Sequence, residues 1–263
     1  MIRESVKSDK SCPLQSVERF SGRVRDYARY RPGYPSQIID LFRDKIGLTN
    51  RDAVADIGSG TGLSSRPFLE NGNPVYCVEP NSSMRAVAEN DFQMFPNFRS
   101  VDGTAHNTGL ESGSVNLVVA AQAFHWFAES DVAKEFERIL RPFGTIAIIW
   151  NERSLNATAF LREYEEFLLK YATDYNSVRH DKFDGRRIRD IFNREFEQLT
   201  LPNAQVLDFE GLKGRMFSSS YMPSPDDPSS EHLVEELKSL FAKHARQGRI
   251  TIFYDTNIFY SKY

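Results

Sequence analysis

Between Val54 and Gly62 the chain reads VADIGSGTG, with glycines at 58, 60 and 62 after an apolar run. Glycines at alternate positions let a ligand approach the backbone, so the stretch is a binding loop in search of a ligand. A dinucleotide fingerprint requires a third glycine where Leu63 stands, and a phosphate loop requires a Gly-Lys-Ser/Thr that is absent. Asp56 precedes the first loop glycine by two residues, where a carboxylate repels a pyrophosphate and suits a positive group. Glu79 follows 23 residues after Asp56, at the position where such sheets hold both hydroxyls of a ribose. Taken alone, GSGTG also suits a plain tight turn. The two acids, in register on consecutive strand–helix units, point further, to a ribose-bearing ligand with a positive centre and no phosphate.

Other residues could do chemistry nearby. AFHWF (Ala123–Phe127) lies just past an apolar run, which makes His125 a candidate general base or acceptor-orienting donor. Trp126 and Phe127 are candidates to line an acceptor pocket, as are Asn151 after a later apolar run and Tyr221 in SSSYMP. His125 bonded to backbone beside core aromatics is an equally good reading. Upstream, YARYRPGYP carries Tyr30 and Arg31, which can fold over a ligand as a lid, with the guanidinium on a carboxylate. Five scattered histidines and two cysteines, Cys12 and Cys77, give neither a metal-ligand spacing nor a disulfide framework.

The elements that must position these residues follow from the apolar pattern. Short apolar runs at Ala53–Ile57, Pro74–Glu79, the FRSVDG stretch, Val115–Ala121 and Thr145–Trp150 alternate with helical spacing, as in Ser36–Ile46, which Ser36 is placed to cap, and in NSSMRAVAEND, capped by Asn81 or Ser82. Apolar strands alternating with helices describe a mostly parallel α/β sheet covered on both faces. Residues 152–248 read as amphipathic helix with a Ser/Pro-rich break and at most one strand, near QVLDF. RITIFYDTNIFYSKY then reads as a hairpin turning at Asp255-Thr256. The expected organisation is a flexible lead (1–18), a core with its lid (19–151), a helical cap over the substrate (152–248) and a terminal hairpin that completes the sheet (249–263).

Ordered along the chain, these motifs resemble the class I S-adenosylmethionine-dependent methyltransferases. The similarity runs to the methyltransferase type 11 domain and to the group of ubiquinone/menaquinone-biosynthesis and trans-aconitate methyltransferases. VADIGSGTG, VYCVEPNSSM, VDGTAHNTGLESGSVNLVVAAQAFHWF and RILRPFGTIAIIWN carry it, with YARYRPGYP ahead and YDTNIFYSKY at the end. The resemblance is weak through 152–248. It implies a Rossmann-like sheet of seven strands ending in an antiparallel hairpin, and S-adenosylmethionine as cofactor with S-adenosylhomocysteine as product. It also implies that the amides of Gly58, Ser59 and Gly60 approach the methionine part of the cofactor, with Asp56 beside them and Gln122 beneath. Glu79 is implied to bind the ribose, and Pro80, Met84, Thr104 and Ala105 to face the adenine. Thr104 stands where the family usually has Asp, and His106 replaces a common Glu.

The expected reaction is methyl transfer to a small-molecule acceptor, such as a carboxylic acid or phenol, in a cytoplasmic monomer or homodimer. A catalytically silent cofactor binder, a nicotinamide-dependent oxidoreductase and an aminopropyl transferase are the alternatives. With 33 basic and 36 acidic residues the net charge is −3, and no basic block marks a nucleic-acid partner. The apolar runs are too short to insert into a membrane.

Overall fold

The computed structural model describes residues 24–128, 130–172 and 185–261. The lead at 1–18, with Cys12, lies outside these residues, as do residues 19–23 at the start of the core with its lid. Seven strands form one sheet in the order β3-β2-β1-β4-β5-β7-β6. They are β1 (Val54–Ile57), β2 (Val75–Val78), β3 (Phe98–Val101), β4 (Val115–Ala121), β5 (Leu140–Arg153), β6 (Phe196–Leu207) and β7 (Ile250–Ser261). The first five pair in parallel, and β7 runs antiparallel to both β5 and β6.

The helices are α1 (Val24–Tyr30), α2 (Gln37–Ile46), α3 (Arg66–Asn71), α4 (Ser82–Phe92), α5 (Ser130–Ile139), α6 (Ala159–Tyr171), α7 (Gly185–Phe192), α8 (Phe209–Phe217) and α9 (Ser230–His244). Their boundaries have local causes. Gly47 and Gly72 end α2 and α3 in the left-handed region, at φ 71° and 96°. Asn81 caps α4, its side chain accepting from the amides of Ser83 and Met84. Ser36, by contrast, makes no side-chain cap bond to α2.

β1 and most of β4 are buried along their whole length, as expected of strands covered on both faces. One apolar layer joins Ile57, Val118, Phe136, Ile148 and Phe192, and another joins Phe42, Phe68, Phe92, Val119 and Ile149. A third core lies under α6, α8 and α9, built on Leu161, Leu212, Leu233 and Ile252. β7 serves two cores: Ile250, Ile252 and Tyr254 belong to the third, while Ile258 and Tyr260 belong to the main sheet.

The end of the chain differs from the sequence expectation. Residues 250–261 form one continuous strand, and Asp255-Thr256 lies within it. The antiparallel partner is β6, twelve residues long and beginning at Phe196, well before the QVLDF stretch. Two ladders explain this: β7 pairs with β5 on one side and β6 on the other, so a turn at Asp255 would sacrifice hydrogen bonds on both. β6 is an edge strand, which is why it tolerates Pro202. Helices α8 and α9 are inserted between the paired ends Leu207 and Ile250. No helix among the described residues is long and apolar enough to cross a membrane.

Candidate functional site

The carboxyl ends of β1, β2, β4 and β5 carry the residues that the motifs single out. In the loop after β1, Gly58, Gly60 and Gly62 all adopt positive φ, at 69°, 57° and 84°. Packing explains two of them. A Cβ on Gly62 would overlap the Phe92 ring, and one on Gly58 would stand 2.8 Å from the Ala123 Cβ and 3.3 Å from Phe127. Gly60 is different. A Cβ there would meet only the Met84 sulfur, at 3.6 Å, so this part of the loop is open.

The three amides assigned to the cofactor by resemblance are bonded to protein in this structure. Those of Gly58 and Ser59 donate to the Val78 carbonyl at 2.8 and 3.2 Å. That of Gly60 donates to Glu79 Oε2 at 2.9 Å, while the Asn81 amide donates to Oε1 at 2.8 Å. Each Glu79 oxygen keeps acceptor capacity beyond its one N–H bond. Burial pushes the Glu79 carboxyl up, and the two amides pull it part of the way back. Arg85 Nη1 steadies the corner, donating to the Glu79 carbonyl at 2.7 Å and to Asp102 at 3.0 Å.

Asp56 is fully buried at the foot of the loop. Its Oδ2 accepts from the hydroxyls of Ser64 and Ser65, each at 2.6 Å. Burial raises its pKa to about 6 against the pull of those two serines. Its Oδ1 has no hydrogen-bond partner, and neither has Thr61 Oγ1 in the same loop. Ser59 Oγ is likewise without a partner; buried polar atoms of this kind are uncommon, and three at one glycine loop mark a place for a polar ligand.

Around this corner, Met84 is buried on α4 and Pro80 is exposed. Thr104 is exposed, its own amide and hydroxyl engaged with Asn107 in a bridged turn, whereas Ala105 is buried in the core beside Val78. Glu135 holds this segment from α5, accepting from the Thr108 amide and hydroxyl at 2.8 and 2.6 Å. Gln122 ends β4 at φ 54°, a left-handed conformation that a non-glycine residue rarely adopts. Its Nε2 donates to the Asn151 carbonyl at 2.8 Å.

Past β4, Phe124, His125 and Trp126 form a single turn of 3-10 helix. The half-buried His125 ring lies 4.8 Å from that of Trp126. Phe127 packs edge-on against Phe124 and Phe136, beneath Gly58. Asn151 is a junction: its Nδ2 donates to the Gly33 carbonyl at 3.1 Å, and its Oδ1 accepts from Thr256 at 2.5 Å and Asn203 at 3.3 Å. These bonds tie the RPGYP segment, β5, β6 and β7 together, which accounts for Asn151 without a ligand.

The lid residues reach the roof over the sheet. Tyr30 packs on Gly214 of α8, and its carbonyl accepts from Gln205 at 2.9 Å. Arg31 Nη2 donates to the Ser218 carbonyl at 2.9 Å, and its guanidinium lies 5.0 Å from the Tyr27 ring centroid. Burial pushes the Tyr34 phenol well up, and both the Asp56 carboxylate and the Arg31 guanidinium act on it. Tyr221 lies near Arg153, whose Nη1 reaches its hydroxyl at 3.5 Å. Sequence reasoning missed Arg153, Arg215, Tyr34, Ser64 and Ser65. Arg153, two residues past Asn151 at the end of a strand, offered a signal. Arg215, in the plain helix FEGLKGRMF, offered none. Among the described residues, no cluster of His, Cys, Asp and Glu could hold a metal.

Comparison with known proteins agrees with this architecture. A sheet of this order with its glycine loop after β1 is that of the class I methyltransferases. The methyltransferase domain family matches residues 55–148. A methyltransferase-like protein of Schizosaccharomyces pombe is 27% identical over 94% of this chain and 96% of its own length. A second S. pombe methyltransferase is 32% identical over 57% of this chain, and the match spans only 59% of that relative. Among solved structures, a candidate type II methyltransferase from Anaeromyxobacter dehalogenans superposes with a TM-score of 0.65 at 19% identity, covering 89% of this chain and 98% of that one. A Haemonchus contortus phosphoethanolamine N-methyltransferase, solved with phosphomonomethylethanolamine and S-adenosylhomocysteine, gives 0.56 at 14% identity, over 95% of this chain and 59% of that one. Residues 55–148 thus match a methyltransferase domain, and the fold is shared with the solved methyltransferases on which the chain superposes.

Proposed function

We propose that the protein transfers a methyl group from S-adenosylmethionine to a small-molecule acceptor, with catalysis mainly by positioning. One observation carries this reading: the buried Glu79 carboxylate closes β2 against the Gly60 amide, next to the unpartnered Asp56 Oδ1 and Thr61 Oγ1. That set of acceptors fits a ribose and an ammonium or sulfonium, and it repels a pyrophosphate. A nicotinamide dinucleotide therefore suits this loop poorly.

Glu79 would hold the ribose hydroxyls. Asp56 and Gln122 would face the methionine part beside the Gly58–Ser59–Gly60 loop, and Tyr30 and Arg31 would close over it. Pro80, Met84, Thr104 and Ala105 would border the adenine. When bound, S-adenosylmethionine supplies a methyl group on a positively charged sulfur that leaves as a neutral thioether under in-line attack. The protein's share is to align the acceptor and exclude water. His125, Trp126 and Tyr221 would border the acceptor, with His125 taking a proton where the acceptor must lose one. Residues 152–248 would supply the substrate-selecting roof over a core at 19–151.

Calorimetric titration with S-adenosylhomocysteine, followed by transfer of labelled methyl to a panel of carboxylic acids, phenols, amines and quinone precursors, tests the reading. Binding together with turnover is expected. Stabilisation by NAD without S-adenosylhomocysteine binding would overturn it in favour of an oxidoreductase, and tight binding without turnover across the panel would favour a silent binder.

A further inference from the structure

Three side-chain amides hold the lid by its main chain. The Gly33 carbonyl accepts from Asn151 Nδ2 at 3.1 Å and from Asn203 Nδ2 at 2.9 Å. The Tyr30 carbonyl accepts from Gln205 Nε2 at 2.9 Å. Asn151 lies opposite Thr256, Asn203 opposite Tyr254 and Gln205 opposite Ile252, so alternation along β7 turns all three to the same face. Each amide also has its oxygen engaged elsewhere. The buried Thr256 hydroxyl donates to Asn151 Oδ1 at 2.5 Å. The Tyr254 hydroxyl accepts from Arg215 Nε and donates to Gln205 Oε1, both at 3.3 Å. The Ala204 amide donates to Asn203 Oδ1 at 2.8 Å. A carboxamide has one accepting and one donating end, so a donor on its oxygen turns the NH2 outward, here toward the lid.

The bonds to Gly33 and Tyr30 add nothing to the ladders that join β5, β7 and β6. What they fix is the lid. Helix α1 packs against α8 of the roof and against α4, whose Met84 sulfur borders the open side of Gly60. It therefore bridges the roof and the helix beside the glycine loop. The strap that follows is stiff, because Pro32 and Pro35 flank Gly33 and Tyr34 and each fixes its own φ. A stiff strap moves as a unit, so the two held carbonyls decide where Tyr30 and Arg31 stand. The holding bonds are few and uncharged, and the one from Asn203 to Gly33 is exposed. Contacts of that kind open locally while the rest of the fold stays intact. The network also reaches the sheet edge, where Gln122 donates to the Asn151 carbonyl at 2.8 Å.

We infer that Asn151, Asn203 and Gln205 are positioning residues for the cofactor site, forming a latch that holds the lid down and sets how fast the cofactor and its product exchange. This rests on the methyltransferase reading above and adds the control of exchange to it. The three act through the lid rather than on the reacting atoms. Because they grip main-chain carbonyls, they leave the Arg31 side chain, whose buried Nε has no hydrogen-bond partner, to the ligand. All three lie outside residues 55–148, the segment matched by the methyltransferase domain family. The latch is thus a feature of this chain's outer strands and not of the shared core.

The test follows association and dissociation of S-adenosylhomocysteine on the immobilised full chain by surface plasmon resonance, alongside hydrogen exchange of the free chain. Asn203→Ala and Gln205→Ala should each speed dissociation by roughly two- to tenfold, the span of one lost hydrogen bond, and the double variant by more. Gln205→Glu keeps the length but sets a carboxylate oxygen against the Tyr30 carbonyl, so it should release S-adenosylhomocysteine at least as fast as Gln205→Ala. Exchange should quicken at the end of α1, where the Arg31 amide donates to the Tyr27 carbonyl at 3.1 Å, while β7 stays as protected as in the wild type. Wild-type dissociation rates in both alanine variants would overturn the latch. So would faster dissociation with an equal loss of protection along β6 and β7, which would make these amides props of the sheet alone. Failure of the wild type to bind S-adenosylhomocysteine at all would instead sink the methyltransferase reading.

Discussion

The ring of Tyr30 rests on Gly214 so closely that a Cβ at 214 would overlap Cδ2 and Cε2 and stand 2.7 Å from Cγ. This contact joins the lid helix to the roof, and glycine alone permits it. Gly214→Ala gains about 1 kcal/mol of helix propensity, but overpacking of this kind costs about 1–3 kcal/mol. The variant is expected to lose stability on balance and to displace α1. Thermal melts check the first effect. Adding Tyr30→Ala to Gly214→Ala should recover part of the loss, because the two residues are coupled through this one contact.

Glu79 accepts one amide on each oxygen, from Gly60 and from Asn81. Glu79→Gln keeps the shape but turns an NH2 toward one of those amides and removes the charge. Charge-assisted hydrogen bonds contribute about 1.5–3 kcal/mol, so S-adenosylhomocysteine affinity should fall by roughly tenfold or more. Isothermal titration measures it, and wild-type affinity in the variant would remove Glu79 from the cofactor site.

Much of this corner was legible in the sequence, and the reasons are local. Gly58, Gly60 and Glu79 owe their places to a strand, a turn and a second strand within 25 or so residues, each with its own apolar or turn signature. The order of the first five strands follows from the same alternation. What escaped depends on partners distant in sequence. Asp255-Thr256 resembles a turn until β5 and β6 are both laid beside it. Asn151 looks like a pocket residue until Gly33, Asn203 and Thr256 claim its amide. The carboxylate of Asp56 promised a ligand contact at the mouth of the loop, but the hydroxyls of Ser64 and Ser65 hold half of it below. Arg215 gives no sequence signal, because its partner Tyr254 lies far along the chain, on β7.

Asp56 makes stability depend on pH. Its carboxyl titrates near 6 in the folded protein, raised by burial, and near 4 in the unfolded chain. The folded state therefore keeps the proton to higher pH, and this group's contribution to stability is greatest below pH 4. It falls as pH rises from 4 through 6 and is constant above. The difference corresponds to about 3 kcal/mol. Asp56→Asn has no such titration, so its stability relative to the wild type should improve by about that amount between pH 4 and pH 7. Chemical denaturation at the two pH values measures the change. The same variant should bind S-adenosylhomocysteine more weakly, since it replaces a carboxylate acceptor at the unpartnered Oδ1 position.

Gln122 holds a positive φ of 54° at the end of β4 while its side chain bonds the carbonyl of Asn151 on the neighbouring strand. Backbone of this kind costs of order 1–3 kcal/mol, and it concentrates where a site requires a particular geometry. A conformation kept only for folding would be served better by glycine, which adopts it freely. Gln122→Gly trades relief of that strain for the loss of one hydrogen bond, worth about 0.5–1.5 kcal/mol. The two effects are comparable, so the melting temperature should change little. If Gln122 positions the cofactor or acceptor, methyl transfer should drop well beyond the change in stability, with the loss seen in cofactor affinity or turnover. Undiminished activity in a stable Gln122→Gly variant would show that the strained residue serves the fold alone.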